Sequence, residues 1–139
     1  MATEIETANR SAIHSYCEAV SAGDLDALDE LLDPDVVHHS ASMSGQKPGS
    51  KGVLETVSSL RKSFSHFTMV VTDTIAEGDR VAFRCNVSGT HTGDLTGAPP
   101  TGKSFEFEEI DIARFRDGHV VEIWSHPDSL ALQRQLGLA

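Results

Sequence analysis

The chain has 139 residues, of which 39% are hydrophobic and 23% charged, as expected for one globular domain spanning 1–139. Its 21 acidic residues outnumber 11 basic ones and give a formal net charge of -10, which argues against nucleic acid and anionic lipid as partners. No run approaches the roughly 20 apolar residues that span a bilayer. We therefore expect a globular protein that binds neither nucleic acid nor membrane.

The amino terminus and the cysteines favour a cytoplasmic location. The first residues, MATEIETANR, are polar and acidic, unlike a secretory signal or an Arg-rich transit peptide. Cys17 and Cys85 form no metal-binding or redox motif, so we expect both to be reduced core residues. The chain also lacks an H-E-x-x-H motif, so a metal site would have to be assembled by the fold from His39, His91 and His126, and we expect neither a metal nor a cofactor.

Local signals predict two helices and a short strand in the first 39 residues. Thr3 and Asp24 can each cap a helix, and Gly23 can end the first one. The motif Asp33-Pro34-Asp35 is predicted to end the second helix, because proline is tolerated only at the start of one. A short strand is then predicted over 36–39.

The rest of the chain is predicted to form a loop, a third helix, a series of hairpins and a last helix. The loop covers 40–52, and Ser50 can cap a helix that continues to Phe64. Alternating strands follow over 66–75, 80–90, 103–116 and 119–126, before a helix over 129–136. This order indicates an α+β domain, in which a curved antiparallel sheet wraps around the N-terminal helices to form a cone with an internal pocket.

Polar residues occupy one face of the last strand, together with the only tryptophan. Alternation places Val121 and Ile123 on the opposite, apolar face. In 103–116, two phenylalanines are followed by Glu109 and Asp111 at the same alternate positions. A polar face is often simply solvated, but a tryptophan within it favours a lined pocket. The residues of this polar face are Glu122, Trp124, His126 and Asp128.

Several motifs of the last third occur together in one known family. They are Arg84-x6-His91-x-Gly93, Pro100-Thr101-Gly102, Ile110-Asp111-Ile112-x-Arg114-Phe115-x-Asp117-Gly118, Glu122-x-Trp124-x3-Asp128 and Gln135-Leu136-Gly137. With them the chain resembles the SnoaL-like polyketide cyclases over essentially its whole length. The resemblance implies the cone shared with ketosteroid isomerase, and cofactor-free closure of a ring on a polyketide ester by intramolecular aldol condensation. Glu109 departs from the family pattern, which often has glycine there.

The resemblance also implies roles for individual residues. Asp128 matches the acid/base aspartate by its position after Trp124, although its spacing also fits the N-cap of the last helix. His91 and His126 are candidate proton donors or partners of this aspartate, and Arg84 could stabilise enolate charge. The residues predicted to bind substrate are Arg84, His39, Trp124, Tyr16, Glu109 and Asp111.

Other functions are compatible with the same cone. An isomerase is one; another is an epoxide hydrolase, in which Arg84, Asp111 and Asp128 would hold a water. A non-catalytic small-molecule-binding dimer is the third. We expect a homodimer through the sheet in any case, because its apolar face exceeds what short helices can cover. That face is predicted to contain Val81, Phe83, Cys85, Val87, Val121 and Ile123.

Overall fold

The computed structural model describes residues 1–39 and 45–139, so part of the predicted loop 40–52 lies outside the described residues. The element order, helices first, then strands, then a helix, confirms the α+β class. The elements are α1 (Glu4–Ala22), α2 (Leu25–Leu31), β1 (Leu32–His39), α3 (Gly49–Ser63), β2 (Phe64–Glu77), β3 (Arg80–His91), β4 (Ser104–Arg116), β5 (His119–Pro127) and α4 (Ser129–Leu136).

The ends of α1 and the start of α2 form as the local signals predict. The Thr3 hydroxyl accepts the Glu6 N–H, and the Glu6 carboxylate accepts the Thr3 N–H in return. Gly23 ends α1 with φ 71°, a left-handed conformation that favours glycine. Asp24 caps α2 by accepting the N–H of Ala27.

Three element boundaries differ from the predictions. Strand β1 begins at Leu32, directly after α2, and the segment Asp33-Pro34-Asp35 lies inside it. The pairing register of β1 shifts between Leu32 and Val37, and the strand lies at the sheet edge, where proline is tolerated. Helix α3 begins at Gly49, and Phe64 starts β2 instead of ending that helix.

The five strands form one open, mixed sheet in the order β1-β5-β4-β3-β2. Strands β2 to β5 pair antiparallel, as predicted. The expectation of a wholly antiparallel sheet is wrong at β1, which runs parallel to β5. The chain leaves β1 through α3 and re-enters the sheet at the opposite edge, so β1 and β5 meet only when the fold is complete.

One face of the sheet, here called the inner face, packs against α1 and forms the core. The opposite, outer face carries exposed side chains, among them Ile75, Ile110 and Ile112. The apolar face from which a dimer was predicted is the inner one, so the monomer's own helices already cover it. No helix in the described ranges is long and apolar enough to cross a membrane. The inner-face residues include Val81, Phe83, Cys85, Val87, Ala113 and Ile123.

Candidate active site

Two carboxyl groups interrupt the apolar inner face of β4. Asp111 lies opposite Phe83 of β3, and Glu109 lies opposite Cys85. Since alternate residues of a strand share a face, both carboxyls point into the core below α1. Asp111 is only 2% exposed, and Glu109 is half-buried. Buried carboxyls are costly unless they are paired or protonated, so this pair marks a candidate site.

Two donors from β5 hold the Asp111 carboxylate. The Ser125 hydroxyl donates to Oδ2 at 3.3 Å, and the His126 backbone N–H donates to Oδ1 at 3.2 Å. Both bonds arise because Ser125 lies directly opposite Asp111 in the sheet register. Hydrogen bonds of this kind favour the ionised form of a carboxyl group.

The two carboxyls differ in the environment that sets their protonation. Burial, followed by the nearby charge of Asp111 and a hydrogen bond to it, raises the pKa of Glu109 to about 9. Burial also raises the pKa of Asp111, but its hydrogen bonds to Glu109, His126 and Ser125 oppose that rise. In the described part of the chain, no basic side chain forms a salt bridge with either carboxyl. A proton held by the pair is therefore favoured on Glu109, because the hydrogen bonds from His126 and Ser125 favour the ionised form of Asp111.

Helix α1 places a phenol and a thiol near enough to the carboxyl pair to interact with it electrostatically. Burial and the charges of Asp111 and Glu109 raise the pKa of Tyr16, so its hydroxyl stays protonated and can donate a hydrogen bond. Burial raises the pKa of Cys17 to about 12, and that of Cys85 is raised for the same reason. Neither thiol is therefore an activated nucleophile.

A histidine absent from the predicted site extends it to the sheet edge. The Nε2 atom of His38 on β1 lies 3.2 Å from the Ser125 hydroxyl, which in turn contacts Asp111. Burial lowers the pKa of His38, which favours the neutral imidazole. Alternation shows that His38 and His39 point to opposite faces, but only the pairing of β1 with β5 shows that His38 points inward.

Of the residues predicted from sequence, Tyr16, Glu109 and Asp111 come together in this site. His91 is also on the inner face and fully buried, but it lies six residues beyond Cys85 on β3, about 20 Å along the strand. Its Nδ1 accepts the N–H of Thr101 at 3.2 Å, which fastens the connection between β3 and β4. His91 therefore has a structural position away from the carboxyl pair.

Four predicted site residues lie on the outer face, namely Arg84, His39, Trp124 and His126. Trp124 pairs with Ile112, the neighbour of Asp111, and so points away from the pair. It stacks on His39 with ring centroids 5.0 Å apart. Arg84 is 4.0 Å from Asp73, and the grouping with Asp111 and Asp128 expected for epoxide opening does not form.

Asp128 is the N-cap of α4, which is the alternative to a catalytic role that its position in the sequence allowed. Its side chain is exposed and accepts the N–H of Ala131 at 3.1 Å, which makes it the N-cap of α4. Asp128 does not line the inner face, because alternation along β5 assigns it to the same outer face as Trp124 and the strand ends at Pro127. The described residues include no cluster of His, Cys, Asp and Glu side chains that could hold a metal ion.

An α+β cone with a buried carboxyl pair on the inner face of its sheet is typical of a small-molecule enzyme of the acid/base class. The family model for SnoaL-like polyketide cyclase matches residues 10–136, and the chain belongs to this family. It is 31% identical over 120 residues to nogalonic acid methyl ester cyclase of Streptomyces nogalater, covering 86% of this chain and 90% of that one.

Two further comparisons agree with this membership. Aklanonic acid methyl ester cyclase of Streptomyces peucetius is 29% identical over 143 residues, covering 99% of this chain and 92% of that one. The crystal structure of IdmH from Streptomyces antibioticus superposes with a TM-score of 0.81 at 35% identity, covering 93% of this chain and 98% of that one. The predicted resemblance is thus confirmed, and the protein is a SnoaL-like polyketide cyclase.

Proposed function

We propose that the protein closes a ring on a polyketide methyl ester by intramolecular aldol chemistry, with Asp111 as base and Glu109 as acid. The observation that carries this proposal is the buried carboxyl pair on the inner face, because two adjacent carboxyls whose pKa values differ can serve as a proton acceptor and a proton donor side by side. Cyclases of nogalonic and aklanonic acid methyl esters among the relatives supply the substrate class.

The proposed reaction needs no cofactor, because its protons balance within the pair. Asp111 removes the proton from the carbon next to a carbonyl, and the enolate carbon attacks a second carbonyl carbon of the same molecule. Glu109 gives its proton to the oxygen of the attacked carbonyl, so one C–C bond forms and no net proton is lost. The hydrogen bond between the two carboxyls returns the proton from Asp111 to Glu109. Tyr16 is a second donor for the developing oxyanion.

The direct test is turnover of a polyketide methyl ester by the purified protein and by the Asp111→Asn variant. Asparagine can still accept the His126 N–H but cannot take up a proton, so only the base is removed. The matched control is Asp128→Asn, which changes an exposed carboxylate outside the pair. Equal turnover by Asp111→Asn and the unmodified protein would refute the proposed base.

We further propose a homodimer formed through the outer face, not through the apolar face used in the sequence prediction. One cross-strand row on that face contains mainly apolar groups from all five strands and can meet a second copy of itself. Beside it runs a row with acids at its ends and arginines in the middle, a self-complementary order under two-fold symmetry. The first row is His39, Trp124, Ile112, Ala82 and Ile75; the second is Glu122, Arg114, Arg80 and Glu77.

We also propose a cytoplasmic location. Cys17 and Cys85 are both buried free thiols, which suits a reducing compartment. Fractionation of the producing cells checks this, and recovery of the protein only in the culture medium would contradict it.

A further inference from the structure

Two hydrogen bonds link the buried Asp111 carboxylate to the edge of the sheet. Ser125 Oγ lies 3.3 Å from Asp111 Oδ2, and His38 Nε2 lies 3.2 Å from the same Oγ. The three residues come from the adjacent strands β4, β5 and β1, all on the inner face. Ser125 is therefore the only group between the imidazole and the carboxylate in this chain of contacts.

The single hydroxyl proton of Ser125 couples the protonation state of Asp111 to the tautomer of His38. When Asp111 is ionised, the hydroxyl donates to Oδ2, so His38 Nε2 must carry the imidazole proton and Nδ1 is bare. When Asp111 is protonated, both bonds can reverse, and the imidazole proton then belongs on Nδ1. His38 Nδ1 is buried and has no hydrogen-bond partner among the residues that the structure describes, so no other described contact fixes the tautomer.

His38 also borders open space. A cavity of about 460 Å³ is lined by residues 34–38 of β1 and by residues 46–49 at the start of α3. The imidazole is half-buried between this cavity and Ser125. The imidazole therefore lies between the cavity and the carboxyl pair, with its Nδ1 atom buried.

We propose that His38 and Ser125 form a proton relay to Asp111, in which His38 is a positioning residue that keeps Asp111 ready to act as the base. The role of the relay in catalysis rests on the proposed function above, whereas the coupling itself does not. A proton that binds Nδ1 releases the Nε2 proton to Ser125 Oγ, whose own proton passes to Asp111 Oδ2. One proton enters and one is delivered, with no redox change and no co-reactant.

Other titratable groups surround Asp111 and His38, and a test of the relay must leave these groups unsubstituted. Glu109 of β4, Tyr16 and Cys17 of α1, and Cys85 of β3 interact electrostatically with Asp111 or its neighbour. His126 of β5 also interacts with Asp111, although its side chain lies on the outer face. His39, the next residue in the chain, interacts electrostatically with His38. The variants used below change none of them.

The first experiment determines the tautomer of the His38 imidazole by NMR, in the absence of substrate. The full chain is labelled with 15N-histidine, and the His38 signals are those lost in His38→Gln. We expect the Nε2–H tautomer at neutral pH in the unmodified protein. In Asp111→Asn, the His126 N–H fixes the amide oxygen, so the amide NH₂ faces Ser125, whose hydroxyl then donates to His38. We therefore expect the Nδ1–H tautomer in this variant.

A folded Asp111→Asn variant with an unchanged His38 tautomer overturns the relay, whatever its catalytic activity. Ser125→Ala is the matched variant, because it removes the connecting hydroxyl alone. In Ser125→Ala, the further change Asp111→Asn should no longer alter the His38 signals. A continued response would also overturn the relay.

The second experiment measures the pH dependence of kcat with a polyketide ester. Loss of the Ser125 donor raises the pKa of Asp111, so the rising limb of the profile shifts to higher pH in Ser125→Ala, with KM little changed. A merely structural role would lower kcat equally at every pH, and that result overturns the positioning role. His119→Gln, an exposed substitution at the start of β5, is the control. If the tautomer responds but Asp111→Asn is fully active, the coupling stands and the proposed function fails.

Discussion

Glu109 and Asp111 lie at alternate positions of β4, and their carboxyls meet on the inner face of the sheet below α1. Asp111 has two donors from β5, whereas Glu109 has its hydrogen bond to Asp111. This asymmetry favours the proton on Glu109, which is the division of roles that the proposed base and acid require.

Asp111→Asn should abolish most of the turnover while the protein remains folded. The amide is nearly isosteric and neutral, so burying it costs no more than burying a carboxylate, but it cannot accept a proton. Loss of a general base typically lowers the rate by about 10²–10⁴-fold. Turnover and thermal melting measured on the same preparation check this. Retained turnover with normal melting would assign the base to another residue.

Glu109→Gln should change how stability depends on pH. The pKa of Glu109 is about 9 in the folded protein, above its ordinary value of 4.5, so the folded state keeps a proton that the unfolded state releases. The stability from this group is complete below about pH 4.5 and is lost as pH rises towards 9. Denaturant melts at pH 5 and pH 9 should show a decline that Glu109→Gln reduces. An equal decline in both proteins contradicts the raised pKa.

The activity of the unmodified enzyme should fall at alkaline pH for a related reason. Glu109 can donate only while it is protonated, so kcat should decrease as pH rises through about 9. A pH profile of kcat under saturating substrate measures this. Glu109→Gln should lack that alkaline limb and have a low kcat throughout, whereas an unchanged limb would assign it to another group.

Asp128→Asn should retain both stability and turnover, because asparagine caps a helix as well as aspartate does. Asp128→Ala removes the hydrogen bond to the Ala131 N–H and should cost about 0.5–2 kcal/mol of stability, without a specific loss of kcat. Melting and turnover of the two variants separate the cap from a catalytic role. A large loss of turnover in Asp128→Asn would restore the role that the sequence resemblance implied.

Ile112→Lys should dissociate the proposed homodimer. Ile112 is 37% exposed and stands in the middle of the cross-strand row on the outer face, so a lysine there would bury an unpaired charge in the interface. Light scattering should show a dimer for the unmodified protein and a monomer for the variant. Ile5→Lys is the control, since Ile5 is exposed on α1, away from the sheet. A monomeric unmodified protein at micromolar concentration would contradict the dimer.

The sequence alone determined the features that depend on near neighbours. The capping residues Thr3 and Asp24 set helix starts because their bonds reach only three residues along the chain. Alternation in β4 showed that Glu109 and Asp111 share a face with two phenylalanines. The motifs of the last third identified the family, which the family model confirms over 10–136.

Only the tertiary structure decided which face of each strand is buried. A period of two sorts side chains into two sets, but the helices that cover one set are distant in sequence. For this reason Trp124 and His39 could be assigned to a pocket although they stack on the outer face. The contact of His38 with Ser125 joins residues 87 positions apart and exists only because β1 pairs in parallel with β5. Local periodicity contains no information about such a pairing, since it is decided by the packing of the completed sheet.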